Sequence, residues 1–515
     1  MKSRSGIQAP VIEFLASPSA YGRGSEPVEI RETHISLIFL VGNNAFKMKK
    51  AVDLGYLDFS TLEKRRIACD AELNLNRRTA PCLYLDLVRV TYEADGRLAL
   101  DGDGKVIEWL VKMRRFDETR LAVNLAHRNE LDLGMLEALA KNIAAFHGAA
   151  ERRPAFGGAE AMGAIIQSNH SHLKAFENKA LAITKVQALF ERSREAVTTH
   201  AGLLGARRAE GFVRRCHGDL HLGNIIIEES GPLLFDCIEF SDRMACIDTF
   251  YDLAFLLMDL WHLQLREGAN RVLNSYLIAL PVTEREAALN GLSLVPFFLS
   301  CRAGVRAHVT AQVAEAHGGK QTDFALAQDY LEESLGFLDP MPPVLLAVGG
   351  LSGSGKTSVS RALAPELGRP PGAVVLRSDE LRKRLLGKDP DEPLGPDAYT
   401  EKINLAVYER MARDACTALS AGQAVIADAV HARPEERAAI KAIAQIAGVP
   451  FKGLWLDVPA HVMEHRLEAR RNDASDATVK VLEQQLGYDL GAIGWARIDG
   501  SRGLEGTLQI AKAML

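Results

Sequence analysis

The 515-residue sequence holds no CxxC pair, and its seven cysteines are an odd number in a long chain. That excludes a disulfide framework and a zinc ribbon, and reduced thiols are expected. Nor is there a run of about 20 apolar residues of the kind that spans a bilayer. The opening stretch MKSRSGIQAPVIEFLASPSAYGRG has basic residues, but Glu13 interrupts an apolar segment too weak for a secretory signal. The expectation is a soluble cytoplasmic protein with no membrane partner. Excess charge of one sign is also missing: 61 Lys+Arg against 66 Asp+Glu leave −5, which argues against a surface built to hold nucleic acid. Aromatic residues make up 6 % and form no stacking run, so a nucleic-acid partner is disfavoured twice. No repeat or low-complexity tract interrupts the chain, and nothing in it bears on oligomeric state.

What is present is ordinary globular usage, 47 % hydrophobic and 25 % charged. At roughly 150 residues per domain the length calls for about three structural units. Three prolines in Leu338-Asp339-Pro340-Met341-Pro342-Pro343 mark a linker at 339–343. Before it, Ile35–Val41, a Gly42-Asn43-Asn44 turn and Ala45–Lys49 predict a hairpin. Ser60-Thr61-Leu62-Glu63 has capping-box spacing, so a helix is expected from there to about Arg78. Strands follow near 83–93 and 106–114. Helical patterns dominate 131–211 and 248–338, with Leu136, Leu139, Ile143 and Phe146 on one face. The order is a small β-rich lobe, about 1–115, then a large helical lobe, about 116–338. Past the linker, 344–515 alternates strand and helix as a parallel sheet with helical crossovers requires.

The segment His217-Gly218-Asp219-Leu220-His221-Leu222-Gly223-Asn224 sets an Asp and an Asn five apart, and Asp236 follows a short strand. Phosphoryl transfer needs a carboxylate to accept the acceptor's hydroxyl proton and hard oxygen ligands for Mg²⁺. Asp219 fits the first role; Asn224 and Asp236 fit the second. His217 is read as holding the loop, and His147 as a satisfied buried histidine. The segment resembles the HGDLHxxN loop of the aminoglycoside phosphotransferase and choline kinase group, relatives of the protein kinases. Asp236-Cys237-Ile238-Glu239-Phe240 and Tyr251-Asp252-Leu253-Ala254 look similar too, and residues 33–49 resemble a branch of that group fused to a P-loop kinase-like domain. The resemblance covers about 30–335 and implies an α+β protein-kinase-like fold. It also implies a lysine on the strand 46–49 that touches the ATP phosphates, oriented by a helix Glu. Lys47 and Lys49 alternate onto one face, so spacing does not choose between them, and Lys49 is preferred. Glu72 is the preferred partner because Glu63 is taken up by capping. The sequence departs from the pattern in lacking GxGxxG; only Tyr21–Gly24 or the 42–44 turn could cover the phosphates. Asp252 follows Asp236 by just 16 positions and no APE comes after. That leaves no activation segment and points to a small-molecule acceptor.

Residues 350–357, GLSGSGKT, satisfy GxxxxGK[ST] between an apolar strand and a helical run. Backbone N–H groups around Gly350, Gly353, Ser354 and Gly355 would wrap the phosphates, Lys356 would reach the β- and γ-phosphates, and Thr357 would ligate Mg²⁺. Val374–Asp379 and Val425–Asp428 read as strands ending in acids at the sheet's carboxyl edge. Asp379 is placed to take the acceptor proton, with helix capping as its bland alternative, and Asp428 to hold the Mg²⁺ shell. The stretch 344–490 looks like the P-loop kinases near zeta toxins, gluconate kinases, chloramphenicol phosphotransferases and polynucleotide 5′-kinases, on Ser378-Asp379-Glu380-Leu381-Arg382, Asp428-Ala429 and the late Arg466, Arg470 and Arg471. There Arg466 and Arg470, four apart on one face, would offset charge on the transferred group. His461 and His465 read as surface residues.

The leading expectation is an α/β P-loop domain joined to the kinase-like one, giving a bifunctional ATP- and Mg²⁺-dependent phosphotransferase acting on small hydroxylated molecules. The alternatives are a nucleotide-binding regulator with one inactive kinase domain, or a P-loop domain phosphorylating polynucleotide 5′-hydroxyls.

Overall fold

The computed structural model describes residues 5–22, 26–55, 57–177, 179–318, 320–389, 392–469 and 477–515. The chain forms two compact units. The first comprises Met1–Asn142, Phe146–Ala161 and Arg208–Leu256; the second Ile143–Ala145, Met162–Arg207 and Leu257–Leu515.

Six strands of the first unit make one antiparallel sheet: β1 (Glu29–Glu32), β2 (Ser36–Val41), β3 (Asn44–Lys49), β4 (Tyr84–Tyr92), β5 (Leu98–Leu100) and β6 (Lys105–Arg114), in the order β1-β2-β3-β6-β4-β5. The hairpin expected around Gly42 is present with a two-residue turn, Gly42-Asn43. Gly42 sits at φ 52°, which spares a side chain the left-handed penalty. The apolar N-terminal stretch is the helix Ser5–Leu15, which buries Val11 and Leu15 against Phe39, Phe46 and Met48.

The helix Leu62–Asn76 starts as expected, but by a different cap. Thr61 Oγ1 accepts the Lys64 N–H at 3.3 Å, whereas Glu63 turns outward onto Arg66. The capping box is thus absent, because Asp58 Oδ1 already takes the Ser60 N–H that Glu63 would have served. The buried face of this helix, Cys69 and Leu73, packs on Val111 and Met113 of β6. Two small ribbons follow. β7 (Val213–Arg215) pairs with β10 (Cys246–Asp248), and β8 (Ile225–Glu228) with β9 (Gly231–Leu234), framing the loop 216–224.

In the second unit the helices Arg266–Ala279, Val282–Gly291, Val295–Ala316 and Ala325–Gly336 accompany a five-stranded parallel sheet. Its strands β11 (Leu345–Gly349), β12 (Val374–Arg377), β13 (Val425–Asp428), β14 (Phe451–Asp457) and β15 (Ala496–Asp499) lie in the order β12-β13-β11-β14-β15. Leu346, Val348, Ile426, Leu454 and Ile498 form its core. The run Val282–Ala316 is long and apolar enough to cross a membrane, but 83 % of its most apolar window is buried in the fold, as in a core helix. The architecture is a kinase-like α+β region followed by an α/β P-loop domain.

Candidate active sites

In the first unit, β3 turns Lys47 and Lys49 toward the same side, where the helix Leu62–Asn76 presents Glu72 between them. Lys47 Nζ lies 2.7 Å from Glu72 Oε1 and 2.5 Å from Asp236 Oδ1. Lys49 Nζ lies 2.6 Å from Glu72 Oε2, contacts Glu239 Oε1, and stands 5.0 Å from the centre of the Phe59 ring. Burial alone would raise the Glu72 carboxyl, but the ammonium groups of Lys47 and Lys49 outweigh it and hold it at about 2. Both lysines are raised, since their carboxylate partners overcome burial. Glu239 goes the other way: burial raises it despite Lys49.

Exposure separates the two lysines. The Lys49 side chain is 1 % exposed, that of Lys47 10 %, and the Asp236 carboxylate that Lys47 meets is 44 % exposed. The Lys49 ammonium is enclosed by Glu72, Glu239 and Phe59, whereas Lys47 meets the more accessible Asp236, a contrast that strand spacing does not reveal. Glu239, in the stretch Asp236–Phe240, is a partner of Lys49 that spacing does not single out.

The loop 216–224 is hung on one carboxylate. Asp252 Oδ2 accepts the His217 N–H at 3.0 Å, Oδ1 accepts the Gly218 N–H at 2.8 Å, and His147 Nε2 is 3.1 Å from Oδ2. His217 Nε2 meets the Phe235 carbonyl at 3.0 Å, tying this loop to the strand end that carries Asp236. His217 and His147 thus hold the loop. His147, Cys216 and Asp252 are close enough to enclose a cation, but both Asp252 oxygens already serve the loop backbone. Asn224 Nδ2 donates to the Asp219 carbonyl at 2.9 Å and to Asp219 Oδ2 at 3.0 Å, so the pair expected from spacing is in contact. Asp236 adopts φ 61° with its N–H on Tyr84 Oη, a left-handed turn that lifts its carboxylate out of the β9 line.

In the second unit, β11 runs into Gly350–Gly355 and then the helix Lys356–Leu363. Gly353 has φ 82°, and a Cβ there would stand 2.6 Å from the Met463 carbonyl, so the loop passes where only glycine fits. Lys356 Nζ reaches back to the Leu351 carbonyl at 3.0 Å. Thr357 Oγ1 donates to Asp428 Oδ2 at 2.7 Å. Burial raises the Asp428 carboxyl against the pull of Arg377 and Lys356.

Asp379 does not end a strand. β12 stops at Arg377, and Asp379 lies in the first turn of the helix Ser378–Leu385, where the helix dipole favours an acid. Nor does it cap that helix; among the described residues no donor bonds its carboxylate. Arg382, one turn on, stacks on Tyr399 and donates to the Ala398 carbonyl at 2.9 Å.

Arg466, on the helix Ala460–Ala469, bonds the Ser354 carbonyl of the loop at 3.3 Å and the Gly500 carbonyl at 2.8 Å. Arg470 and Arg471 lie outside the described residues. His461 and His465 are exposed, as expected. No local pattern singles out Gln485, a buried residue of the helix Val479–Leu486 whose Oε1 accepts the Ser352 N–H at 2.8 Å.

The sequence profile of the phosphotransferase enzyme family matches residues 84–289, and that of an AAA domain matches 345–488. The uncharacterized protein Rv2004c of Mycobacterium tuberculosis is 30 % identical over 462 residues, 88 % of either chain. The chain belongs to the same family as this mycobacterial protein and is a phosphotransferase of the kinase type. A 119-residue stretch of this phosphotransferase is 31 % identical to the adenylyl-sulfate kinase of Myxococcus xanthus, covering 23 % of the chain and 60 % of that enzyme. A choline/ethanolamine kinase family protein from Mesorhizobium loti aligns with 64 % of the phosphotransferase and 99 % of its own length, at 12 % identity and a TM-score of 0.38. The phosphotransferase carries two kinase-type domains. Families of these folds use ATP, generally with Mg²⁺.

Proposed function

We propose that this two-domain phosphotransferase is bifunctional, each domain moving the γ-phosphoryl group of ATP to a hydroxyl of a small molecule. The first catalytic module is assigned to 1–338 and the second to 344–515. The observation that carries the first assignment is Lys47, whose Nζ sits between Glu72 and Asp236 at 2.7 and 2.5 Å. A lysine held by a helix Glu beside a metal-binding Asp is what phosphate positioning needs. In this site Asp219 takes the acceptor proton and Lys47 touches the phosphates. In the second, the backbone of 350–355 and Lys356 hold the phosphates, Asp379 takes the proton, and Arg466, with Arg470, balances charge on the transferred group.

The donor atoms suit Mg²⁺, a hard cation that takes oxygen ligands. Asn224 commits its Nδ2 to Asp219, which leaves the carboxamide oxygen for a cation, and the exposed Asp236 carboxylate supplies the second ligand. Thr357 Oγ1 and Asp428 supply the equivalent pair in the second site. Bound there, Mg²⁺ would neutralise phosphate charge. The cytoplasmic assignment is supported by seven cysteines that are all unpaired.

The test incubates γ-labelled ATP and a small-molecule metabolite extract with the wild type, Asp219→Ala and Lys356→Ala. Each substitution should erase a different set of labelled products, and Lys356→Ala should remove one equivalent of bound nucleotide by calorimetry. A wild type that labels nothing beyond water would sink the two-kinase proposal in favour of a nucleotide-gated regulator. Labelled oligonucleotide ends, lost in Lys356→Ala, would move the second domain to polynucleotide 5′-hydroxyls.

A further inference from the structure

The catalytic loop carries a second histidine that the roles above leave unused. His221 caps the short 3-10 turn Leu222–Asn224, its Nδ1 accepting the Gly223 N–H at 3.0 Å. A ring nitrogen that accepts carries no proton, so in the neutral imidazole the proton is on Nε2. That nitrogen lies 3.4 Å from Asp219 Oδ2, the same oxygen that receives Asn224 Nδ2 at 3.0 Å. The ring is confined on two sides. Its edge meets Phe255, with centroids 5.3 Å apart at 64°, and it rests on Gly223, where a Cβ would stand 2.8 Å from Cε1 and 3.0 Å from Nδ1. Glycine at 223 thus makes room for the ring and supplies the N–H that sets its tautomer.

We propose that His221 is a positioning residue of the first site: Gly223 sets its tautomer, and its Nε2–H, together with Asn224, gives the Asp219 carboxylate a single orientation. This rests on Asp219 being the base. An Asp carboxylate turns easily about its last torsion, and one donor constrains it less than two. A misplacement of about 1 Å at a reacting group can cost up to 10² in rate. In the step itself the acceptor O–H bond breaks as its oxygen bonds the γ-phosphorus. The proton passes to Asp219, and the pair of the cleaved P–O bond leaves with ADP. His221 gains and loses no proton.

Two substitutions separate the ring's contacts. Asparagine at 221 keeps an acceptor where Nδ1 caps Gly223 but cannot reach Asp219; glutamine places an N–H where Nε2 was. The assay follows hydrolysis of MgATP, with water as the acceptor, by the full chain carrying Lys356→Ala to silence the second site. Expected are a kcat for His221→Gln within about threefold of the parent and a kcat for His221→Asn lower by about 10- to 10²-fold, with KM for ATP unchanged. Gly223→Ala, which pushes the ring away, should resemble His221→Asn. Equal losses in the Asn and Gln variants, or a loss confined to KM, would overturn the proposal. A second readout needs no turnover: in ¹⁵N-histidine spectra of the full chain, the signal missing from His221→Gln should be that of the Nε2–H tautomer, and an Nδ1–H signal would overturn it. Asp219→Ala in the same background keeps the two failures apart. Parent-like hydrolysis there removes Asp219 as the base, while the tautomer still decides where the His221 proton points.

Discussion

Two lysines two residues apart on one strand differ in what closes over them, and substitution should show it. Lys47→Ala removes the ammonium that meets exposed Asp236, and transfer at the first site should fall by about 10²-fold with the fold intact. Lys49→Met leaves Glu239 buried without its cation and should cost on the order of 3 kcal/mol in denaturant unfolding. A buried histidine supplies the pH counterpart. His431 lies against Tyr408 and Trp495 at φ 49°, and burial holds it at about 3 rather than 6.5. Between those values the unfolded chain binds a proton the folded chain does not, so stability falls as pH drops below 6.5, by about 1.4 kcal/mol per unit. His431→Asn, which tolerates positive φ, should remove that share of the slope in unfolding measured from pH 7 to 5. The share of His308, held near 4 by burial, should remain.

At the scale of elements, the glycine-rich loop Gly350–Gly355 is roofed by two helices. Met463 and Leu467 of the helix Ala460–Ala469 join Leu482 of the helix Val479–Leu486 in one apolar cluster that reaches Leu351 of the loop. Gln485 completes the roof by accepting the Ser352 N–H. Gln485→Leu leaves that buried amide without an acceptor and should lower stability without nucleotide by about 1–3 kcal/mol in a urea titration. An unchanged midpoint would show that the loop finds another partner.

At the scale of the whole chain, the parallel sheet of the second unit is not left with a bare edge at β12. Asn274 Nδ2 donates to the Ala373 carbonyl and its Oδ1 accepts the Val375 N–H at 2.8 Å, imitating a neighbouring strand. Asn270 bonds the Pro371 and Ala373 carbonyls, and Arg285 pairs with Asp414 at 2.8 Å in a fully buried contact. These residues precede the proline-rich stretch 339–343, so a fragment 339–515 would expose β12. The fragment should self-associate with concentration in light scattering where the full chain does not.

What the sequence determined by itself were features written in local spacing. Strand alternation put Lys47 and Lys49 on one face, the HGDLHxxN spacing brought Asp219 to Asn224, and GxxxxGK[ST] after an apolar strand placed Thr357. Glu72, preferred because a capping box would take up Glu63, stands between Lys47 and Lys49 although that box does not form, since Thr61 and Asp58 share the capping between them. Tertiary structure alone decided the rest. Glu239, Asp252 and Gln485 act across 190, 35 and 133 positions respectively. That Lys49 is enclosed while Lys47 meets Asp236 depends on Phe59 and Glu239 closing over Lys49, and the end of β12 at Arg377 is set by the helix that follows. Periodicity reports a residue's face within its own element. What packs against that face is fixed by chain segments far away in sequence, through burial and charge that no local pattern encodes.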